Sequence, residues 1–192
     1  GLQWGISREW MKRLKEAKTR LEVDEYHAPG ITPHKLFRVL NKTFEGENVS
    51  YVADVGNHQM WAATLLDLDQ GQSAHYCGGM GSMGFGLPVS IGVAMRGGGK
   101  VINIAGDGSI QMNIQELDTI SRLDLDLTVL VLDNHCLGMV KSFQDAYFDG
   151  RNQSTVIGYG HPDFAKVARA FGIKTRKVTA VEELQKALQE AK

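Results

Sequence analysis

The apolar residues of this chain switch repeatedly between the two-residue period of a β-strand and the 3.6-residue period of an α-helix, which narrows the possible folds. The strand patterns lie at residues 49–54, 100–105, 127–133 and 173–178. The helix patterns lie at residues 59–66, 84–96, 113–122 and 163–171, and a capping box of Thr179 with Glu182 predicts a last helix at residues 180–191. Strands joined by helices pair in parallel, because each helix carries the chain back along the sheet. We therefore predict an α/β fold with a doubly wound parallel sheet and helices on both faces, whose ligands bind beyond the carboxyl ends of the strands.

The N-terminal part of the chain differs in composition from the rest. Residues 7–23 are rich in Lys, Arg, Glu and Leu, which indicates an exposed amphipathic helix. Thr32 and Pro33 then supply an N-cap and a first-turn proline for the next helix. We expect residues 1–31 to be a helix and linker from an upstream domain, and residues 32–192 to form one binding domain.

Charge and composition argue against several classes of partner. Lysine plus arginine number 21 against 22 aspartate plus glutamate, so no long-range field attracts nucleic acid or an anionic membrane surface. The longest apolar stretches are much shorter than the ~20 residues of a membrane-spanning helix. The two cysteines, Cys77 and Cys136, are too few for a disulfide framework and favour a reducing, cytoplasmic location. We predict no nucleic-acid partner and no membrane segment.

The predicted strand at residues 100–105 ends in Gly106, Asp107, Gly108 and Ser109, which form the first candidate site. A carboxylate at a strand end can bind a hard cation such as Mg²⁺, which takes one or two protein oxygens together with phosphate oxygens and water. The glycines allow backbone N–H groups to approach a phosphate, and the start of a following helix adds a favourable dipole. The Ser109 hydroxyl can donate one more hydrogen bond.

Asn134 follows the next predicted strand and completes the candidate metal site. Neighbouring parallel strands would bring Asp107 and Asn134 to the same edge of the sheet, as one carboxylate and one amide oxygen for Mg²⁺. Taken separately, the Gly-Asp-Gly and Asp-Asn sequences are also typical of ordinary turns after strands.

The motifs together resemble the thiamine-diphosphate-dependent enzymes of the acetolactate synthase type. The resemblance rests on Gly106-Asp107-Gly108 with Asn134, on VGNHQMWAA at residues 55–63 and on GGMGSMGFGLP at residues 78–88. It extends from about Thr32 to the C-terminus, and it implies the diphosphate-binding, C-terminal domain of such an enzyme, with thiamine diphosphate and Mg²⁺ as cofactors.

The resemblance also assigns site residues. It implies that Mg²⁺ is held by the side chains of Asp107 and Asn134 and by the backbone carbonyl of Cys136. Residues expected to contact the rest of the cofactor are Val55, Gly56, Asn57, His58, Gly81, Met83, Gly106, Gly108, Ser109, Gly138 and Met139. Met139 and Phe143 are expected to line the substrate pocket. From the residues alone, Met83 and Met139 could equally fill a core, and His58 could simply begin a helix.

Two positions depart from the family pattern. Asp133 stands where many members have a second asparagine, and Phe143 stands where branched-chain acetohydroxyacid synthases usually have tryptophan. A smaller ring changes the acceptor pocket, and such shape differences alter specificity by about 1–3 kcal/mol. The sequence therefore leaves the acceptor open.

The family function is decarboxylation of a 2-oxo acid such as pyruvate and ligation of the two-carbon unit to a second 2-oxo acid. The alternatives are a decarboxylase without ligation and a non-catalytic cofactor-binding subunit. The resemblance places the cofactor-activating glutamate on a separate pyrimidine-binding domain, so no catalytic residue is assigned here and the chain alone is expected to be inactive. Glu116 is interpreted as a cap or salt-bridge residue. The implied partners are that domain, from the same or a second subunit, within a homodimer or homotetramer.

A dinucleotide site is the main competing interpretation. Residues 79–84 match the G-x-G-x-x-G pattern and precede a plausible helix. Two features argue against it: residues 72–77 do not form a hydrophobic strand pattern, and no acidic residue stands where a ribose would be bound.

Overall fold

The computed structural model describes residues 7–192, and helices alternate with strands over most of that length. Residues 1–6 of the predicted linker lie outside the described residues. The strands are β1 Val49–Ala53, β2 Ser73–Tyr76, β3 Lys100–Gly106 and β4 Leu127–Leu132. The helices are α1 Arg8–His27, α2 Pro33–Thr43, α3 Asn57–Leu65, α4 Gly86–Arg96, α5 Asp107–Ile110, α6 Glu116–Arg122, α7 Gly138–Tyr147, α8 Phe164–Ala170 and α9 Val181–Ala191, with a 3-10 turn at Gln111–Asn113.

The strands form one parallel sheet in the order β2-β1-β3-β4. The chain moves outward from β1 to β2 and then returns to the other side of β1 to form β3, so the strand order reverses between β1 and β3. Such a reversal opens a crevice at the carboxyl ends of the two strands, where α/β proteins bind ligands. This arrangement confirms the predicted α/β class and parallel sheet.

Helices cover both faces of the sheet, as predicted. On one face, helices α2, α3 and α9 pack on the sheet, with Phe37 and Leu40 of α2 fully buried. On the other face, helices α4, α6 and α8 pack against the remaining side chains of β3 and β4. Along β3, Ile102 and Ile104 point to the first face and Ala105 to the second, as the alternation of a strand requires. Among residues 7–192, no helix is both long and apolar enough to cross a bilayer.

The structure corrects the sequence prediction at both edges of the sheet. The predicted strand at residues 173–178 is wrong: within the described chain this segment belongs to no ladder, although Ile173 and Val178 pack against the two core clusters. Its two apolar residues, Ile173 and Val178, are partly buried against different clusters although the backbone is unpaired. Conversely, β2 was not predicted, since Ser73 and His75 make it look polar. An edge strand needs less apolar surface than a central one.

Helices α7 and α9 also differ from the sequence prediction. Helix α7 was not predicted, because it carries Phe143, Tyr147 and other apolar residues on an exposed side. For α9, the sequence suggests a capping box between Thr179 and Glu182, but the carboxylate of Glu183 accepts the N–H groups of Thr179 and Ala180 instead. Both Glu182 and Glu183 lie within one residue of the capping-box spacing. The geometry of the turn places the Glu183 carboxylate next to the two N–H groups.

Candidate functional site

Asp54, directly after β1, organises the crevice between β1 and β3. Its carboxylate is buried and accepts N–H groups from Val55 at 2.6 Å, from Gly84 at 2.9 Å and from Gly86 at 2.7 Å. These hydrogen bonds join the loop after β1 to the loop before α4. A Cβ at Gly86 would lie 2.9 Å from the Asp54 side chain, so glycine is required for this approach. Sequence reasoning missed Asp54, although a carboxylate that follows a buried strand and precedes glycine is a usable signal.

His58 lies between the ends of β1 and β3. A Cβ at Gly56 would come within 2.5 Å of its ring, and one at Gly106 within 3.1 Å. Burial lowers the pKa of His58 from 6.5 to about 4, and the backbone of Asp54 opposes this in part. The ring is therefore neutral at pH 7. Its Nε2 atom is buried and makes no hydrogen bond within residues 7–192.

Asp107 begins α5 at the end of β3, and only 2% of its surface is exposed. Its Oδ2 atom has no hydrogen-bond partner in the described part of the chain. Burial raises the pKa of Asp107, the charge of Asp133 raises it further, and the neighbouring Tyr159 hydroxyl and His161 act in the opposite direction. A buried carboxylate oxygen without a partner is costly unless a cation or a proton compensates it.

Gly108 leaves space for three side chains from different parts of the fold. A Cβ at Gly108 would lie 2.3 Å from the Leu137 side chain and 3.4 Å from both the Met83 methyl group and the Tyr159 hydroxyl. Met83 is half-buried and belongs to the loop before α4, and its side chain thus reaches the end of β3. The structure brings Met83 and Gly108 together, and the ligand role of Met83 stays a prediction.

Asn57 and Asn134 meet at Gly138. A Cβ at Gly138 would lie 2.9 Å from the amide nitrogen of each asparagine. Asn57 begins α3 and Gly138 begins α7, so two helix N-termini converge beside these amides. Within the described residues, neither helix has a side-chain N-cap, and neither has an acidic residue in its first turn. Their N-terminal N–H groups are therefore available to an anion.

The two predicted magnesium side chains lie at the same edge of the sheet. Gly106 of β3 pairs with Leu132 of β4, so Asp107 and Asp133 follow paired residues and Asn134 comes next. The Asn134 side-chain oxygen accepts the N–H of Cys136 at 3.2 Å and so folds back on its own loop. Tyr159, Asp133 and His161 lie beside Asp107 in the structure. The assignment of magnesium to Asp107, Asn134 and Cys136 stays a prediction.

The remaining predicted residues occupy different environments. Ser109 is buried, and its hydroxyl accepts the N–H of Gly106 at 3.0 Å, so it stabilises the turn after β3. Gly81 lies on an exposed loop with open space around it. Met139 and Phe143 are exposed on α7, with 37% and 54% of their surfaces accessible. The Glu116 carboxylate accepts the Thr119 hydroxyl within α6, consistent with its interpretation as a local contact.

Sequence reasoning also missed Tyr159 and His161, which border Asp107. The His161 Nε2 atom is 3.8 Å from the Asp107 Oδ2 atom and 3.1 Å from the Asp133 Oδ1 atom. Both residues lie in the irregular segment before α8, where no periodicity marks them. Only the return of this segment to the end of β3 reveals their relation to the site.

Comparison with known proteins agrees with this geometry. The model of the thiamine pyrophosphate enzyme family, C-terminal TPP binding domain, matches residues 54–192. The chain therefore belongs to the thiamine pyrophosphate enzymes. It is 39% identical over 186 residues to the acetolactate synthase large subunit of Haemophilus influenzae, covering 95% of this chain and 32% of that protein. It is also 38% identical over 188 residues to the acetolactate synthase isozyme 3 large subunit of Escherichia coli, covering 96% of this chain and 32% of that protein.

The chain spans about a third of the length of these relatives. The resemblance to acetolactate synthases seen in the sequence is thereby confirmed.

One premise against a dinucleotide site is wrong, because strand β2 does precede residues 79–84. The glycines at 78, 79 and 81 nevertheless lie on an open, exposed loop and not in a tight turn between strand and helix. The family match supports thiamine diphosphate over a dinucleotide.

Replacing Asp54 with Asn should destabilise the fold. The amide keeps one acceptor oxygen but presents N–H donors to backbone N–H groups, so at least one buried donor loses its partner. We expect the free energy of unfolding in urea to fall by about 3 kcal/mol. Asp118→Asn is the matched control, because Asp118 forms only an exposed ion pair with Arg122, and its change should stay within ~0.5 kcal/mol. Equal effects of the two substitutions would contradict the role given to Asp54.

The low pKa of His58 makes stability depend on pH. Below pH 6.5 the unfolded chain binds a proton at this residue, while the folded chain does so only near pH 4. Stability is therefore lost as pH falls through this window, by about 3 kcal/mol in total and by at most about 1.4 kcal/mol per pH unit. Urea unfolding of His58→Gln should show a correspondingly smaller loss. His75→Gln should retain the wild-type dependence, and parallel curves for His58→Gln and wild type would refute the assignment.

Proposed function

We propose that this chain is the Mg²⁺- and thiamine-diphosphate-binding domain of an acetolactate synthase-like enzyme. In the complete enzyme, a 2-oxo acid such as pyruvate loses CO₂, and the two-carbon unit is joined to a second 2-oxo acid. The observation that carries the proposal is the buried Asp107 Oδ2 atom, which has no hydrogen-bond partner among residues 7–192 and lies where the strand order reverses. It lies at the same sheet edge as two uncapped helix N-termini, so sites for a cation and an anion adjoin.

The anion part of the site suits a diphosphate. The N-termini of α3 and α7 carry partial positive charge, and their first turns contain no acidic side chain among the described residues. The amides of Asn57 and Asn134 lie beside Gly138 and can donate further hydrogen bonds. Glycine at 56, 106, 108 and 138 keeps the backbone accessible. Val55 and His58 border the same crevice.

The cation part of the site suits Mg²⁺. The Asp107 carboxylate supplies a charged oxygen, and we assign the Asn134 side-chain oxygen and the Cys136 carbonyl as further ligands, a hard oxygen set. Because burial raises the pKa of Asp107, a bound cation would displace any proton and compensate the carboxylate charge. The Cys136 thiol has no part in this site, since burial and the Asp107 charge raise its pKa and keep it protonated at neutral pH.

This chain contributes to the chemistry by positioning the cofactor. When bound, thiamine diphosphate supplies the nucleophilic carbon and the electron sink for decarboxylation. Met83, which touches the space beside Gly108, provides a flexible and polarisable contact that can hold the cofactor in a bent shape. Leu137 and Tyr159 close the same space and exclude water. Fixed geometry of this kind lowers the entropic part of the barrier.

The rest of the enzyme has to supply what this chain does not. We propose that the activating glutamate lies on a pyrimidine-binding domain, from the same or a second subunit of a homodimer or homotetramer, joined through residues 1–31. Met139, Phe143 and the neighbouring apolar surface of α7 would complete the substrate pocket against it. The free cysteines fit a cytoplasmic location.

Asp107→Asn should separate stability from cofactor binding. The variant removes a buried charge, so the cofactor-free chain should unfold at the same or a higher temperature than wild type. Its affinity for thiamine diphosphate in Mg²⁺ should fall by at least about 100-fold, since the metal loses its only charged proposed protein ligand. Calorimetric titration with and without Mg²⁺ measures this, with NAD as the control ligand. Unchanged affinity in Asp107→Asn, or preference for NAD, would overturn the proposal.

Product analysis tests the reaction. The 192-residue chain with Mg²⁺, thiamine diphosphate and pyruvate should form no acetolactate, and the full-length enzyme should form it. Phe143→Trp in the full-length enzyme should change the ratio of products from competing 2-oxo acid acceptors by about tenfold. Turnover by the isolated chain would contradict the need for a second domain. Aldehyde as the sole product of the full-length enzyme would favour a simple decarboxylase.

A further inference from the structure

We propose that Asp133, His135 and His161 form a second metal site, for a divalent transition ion such as Zn²⁺. The site is distinct from the Mg²⁺ site assigned to Asp107, Asn134 and Cys136, and it does not depend on the proposed reaction. It would join the loop after β4 to the segment that precedes α8.

The three candidate ligand atoms are close enough to share one ion. The His135 Nδ1 and His161 Nε2 atoms are 2.7 Å apart, and the Asp133 Oδ1 atom lies 3.1 Å from the His161 nitrogen and 3.5 Å from the His135 nitrogen. An ion with bonds of about 2.0–2.1 Å holds neighbouring ligands about 3 Å apart. The mean of the three distances is close to this spacing, and the His135 side chain, 77% exposed, leaves the triangle accessible from solvent.

The orientation of His161 favours metal binding. Its Nδ1 atom lies 2.9 Å from the carbonyl oxygen of Pro162, so the tautomer that donates Nδ1–H to this carbonyl has its lone pair on Nε2, where a metal ion could bind. A backbone carbonyl behind a ligating histidine fixes the tautomer in the same way at known metal sites. The ring of Phe164 stacks on His161 with centroids 5.0 Å apart, and only 10% of the histidine side chain is exposed. The nitrogen that faces Asp133 is thus held in place before an ion binds.

The other two ligands are positioned by a tight turn. His135 has a left-handed backbone with φ of 57°, and its N–H is donated to the Asp133 carboxylate at 3.2 Å. This turn brings the imidazole of His135 back over the carboxylate that precedes it by two residues. The His161 Nε2 atom lies 3.1 Å from Asp133 Oδ1 and 2.7 Å from His135 Nδ1, within a hydrogen bond between the two imidazoles. A bound ion would replace that hydrogen bond and hold all three atoms.

The ligand set selects the class of ion. Two imidazole nitrogens and one carboxylate oxygen suit Zn²⁺, Co²⁺ or Ni²⁺, whereas Mg²⁺ prefers oxygen ligands. Asp107 is close, with its Oδ2 atom 3.8 Å from His161 Nε2, so the proposed site adjoins the Mg²⁺ site without sharing its assigned ligands. Excess Mg²⁺ should therefore leave it free for a transition ion.

The test is a titration of the 192-residue chain with Zn²⁺ against a chromophoric chelator, in a large excess of Mg²⁺ and without thiamine diphosphate. We expect one Zn²⁺ per chain and a higher unfolding temperature when it is bound. The variants His135→Asn and His161→Gln should each weaken Zn²⁺ binding by at least about tenfold. Asparagine tolerates the left-handed backbone at residue 135, and this side chain is exposed, so folding is preserved in that variant.

Two control variants make the result specific. His75→Asn removes a histidine from β2, which is separated from β4 by β1 and β3, and it should bind Zn²⁺ as wild type does. Cys136→Ser tests whether the neighbouring thiol is the true ligand, and it should also bind as wild type. Unchanged binding in His135→Asn, loss of binding in Cys136→Ser, or displacement of Zn²⁺ by Mg²⁺ would each overturn the proposal.

Discussion

Parallel pairing between β1 and β3 is the constraint on which the site depends. These strands are neighbours in the sheet but lie far apart in the sequence, and their shared direction brings the segments after Ala53 and Gly106 to one edge. The two core clusters hold β3 in place by burying Ile102 and Ile104 on one face and Ala105 on the other. A one-residue change of register would exchange these faces, so the packing that stabilises the sheet also fixes where Asp107 begins its helix.

The site contains buried charged and polar groups that lack compensating partners and do not contribute to the packing of the core. Asp107 is a buried carboxylate with a raised pKa, and His58 is a buried imidazole with a lowered pKa. The N-termini of helices α3 and α7 lie close together without side-chain caps among the described residues. Each feature reduces the stability of the chain on its own, and each would be offset by a bound metal ion and diphosphate. This is the physical pattern expected where a fold holds a binding site ready for its ligand.

One surface of the chain is apolar where a free domain would be polar. Phe143, Tyr147 and Phe148 contact one another on and after α7, and 54%, 73% and 46% of their surfaces are exposed. The relatives are about three times as long as this chain, so there is additional protein in those enzymes to cover such a surface. The proposed pyrimidine-binding domain would cover this surface of α7 and complete the site.

Local sequence determined strands β1, β3 and β4, most of the helices and the motif positions, because hydrophobic period and turn chemistry act over a few residues. It predicted that Asp107 and Asn134 lie at the same edge of the sheet, as the pairing of Gly106 with Leu132 shows, and its motifs were enough to recognise the family. It did not reveal β2, α7 or the unpaired course of residues 173–178, where pairing and exposure depend on distant neighbours. The hydrogen bonds of Asp54 to Gly84 and Gly86, and the meeting of His161 with Asp133 and Asp107, required the tertiary structure. These contacts join segments that are remote in the chain, and no local sequence pattern predicts which distant residues a loop will contact.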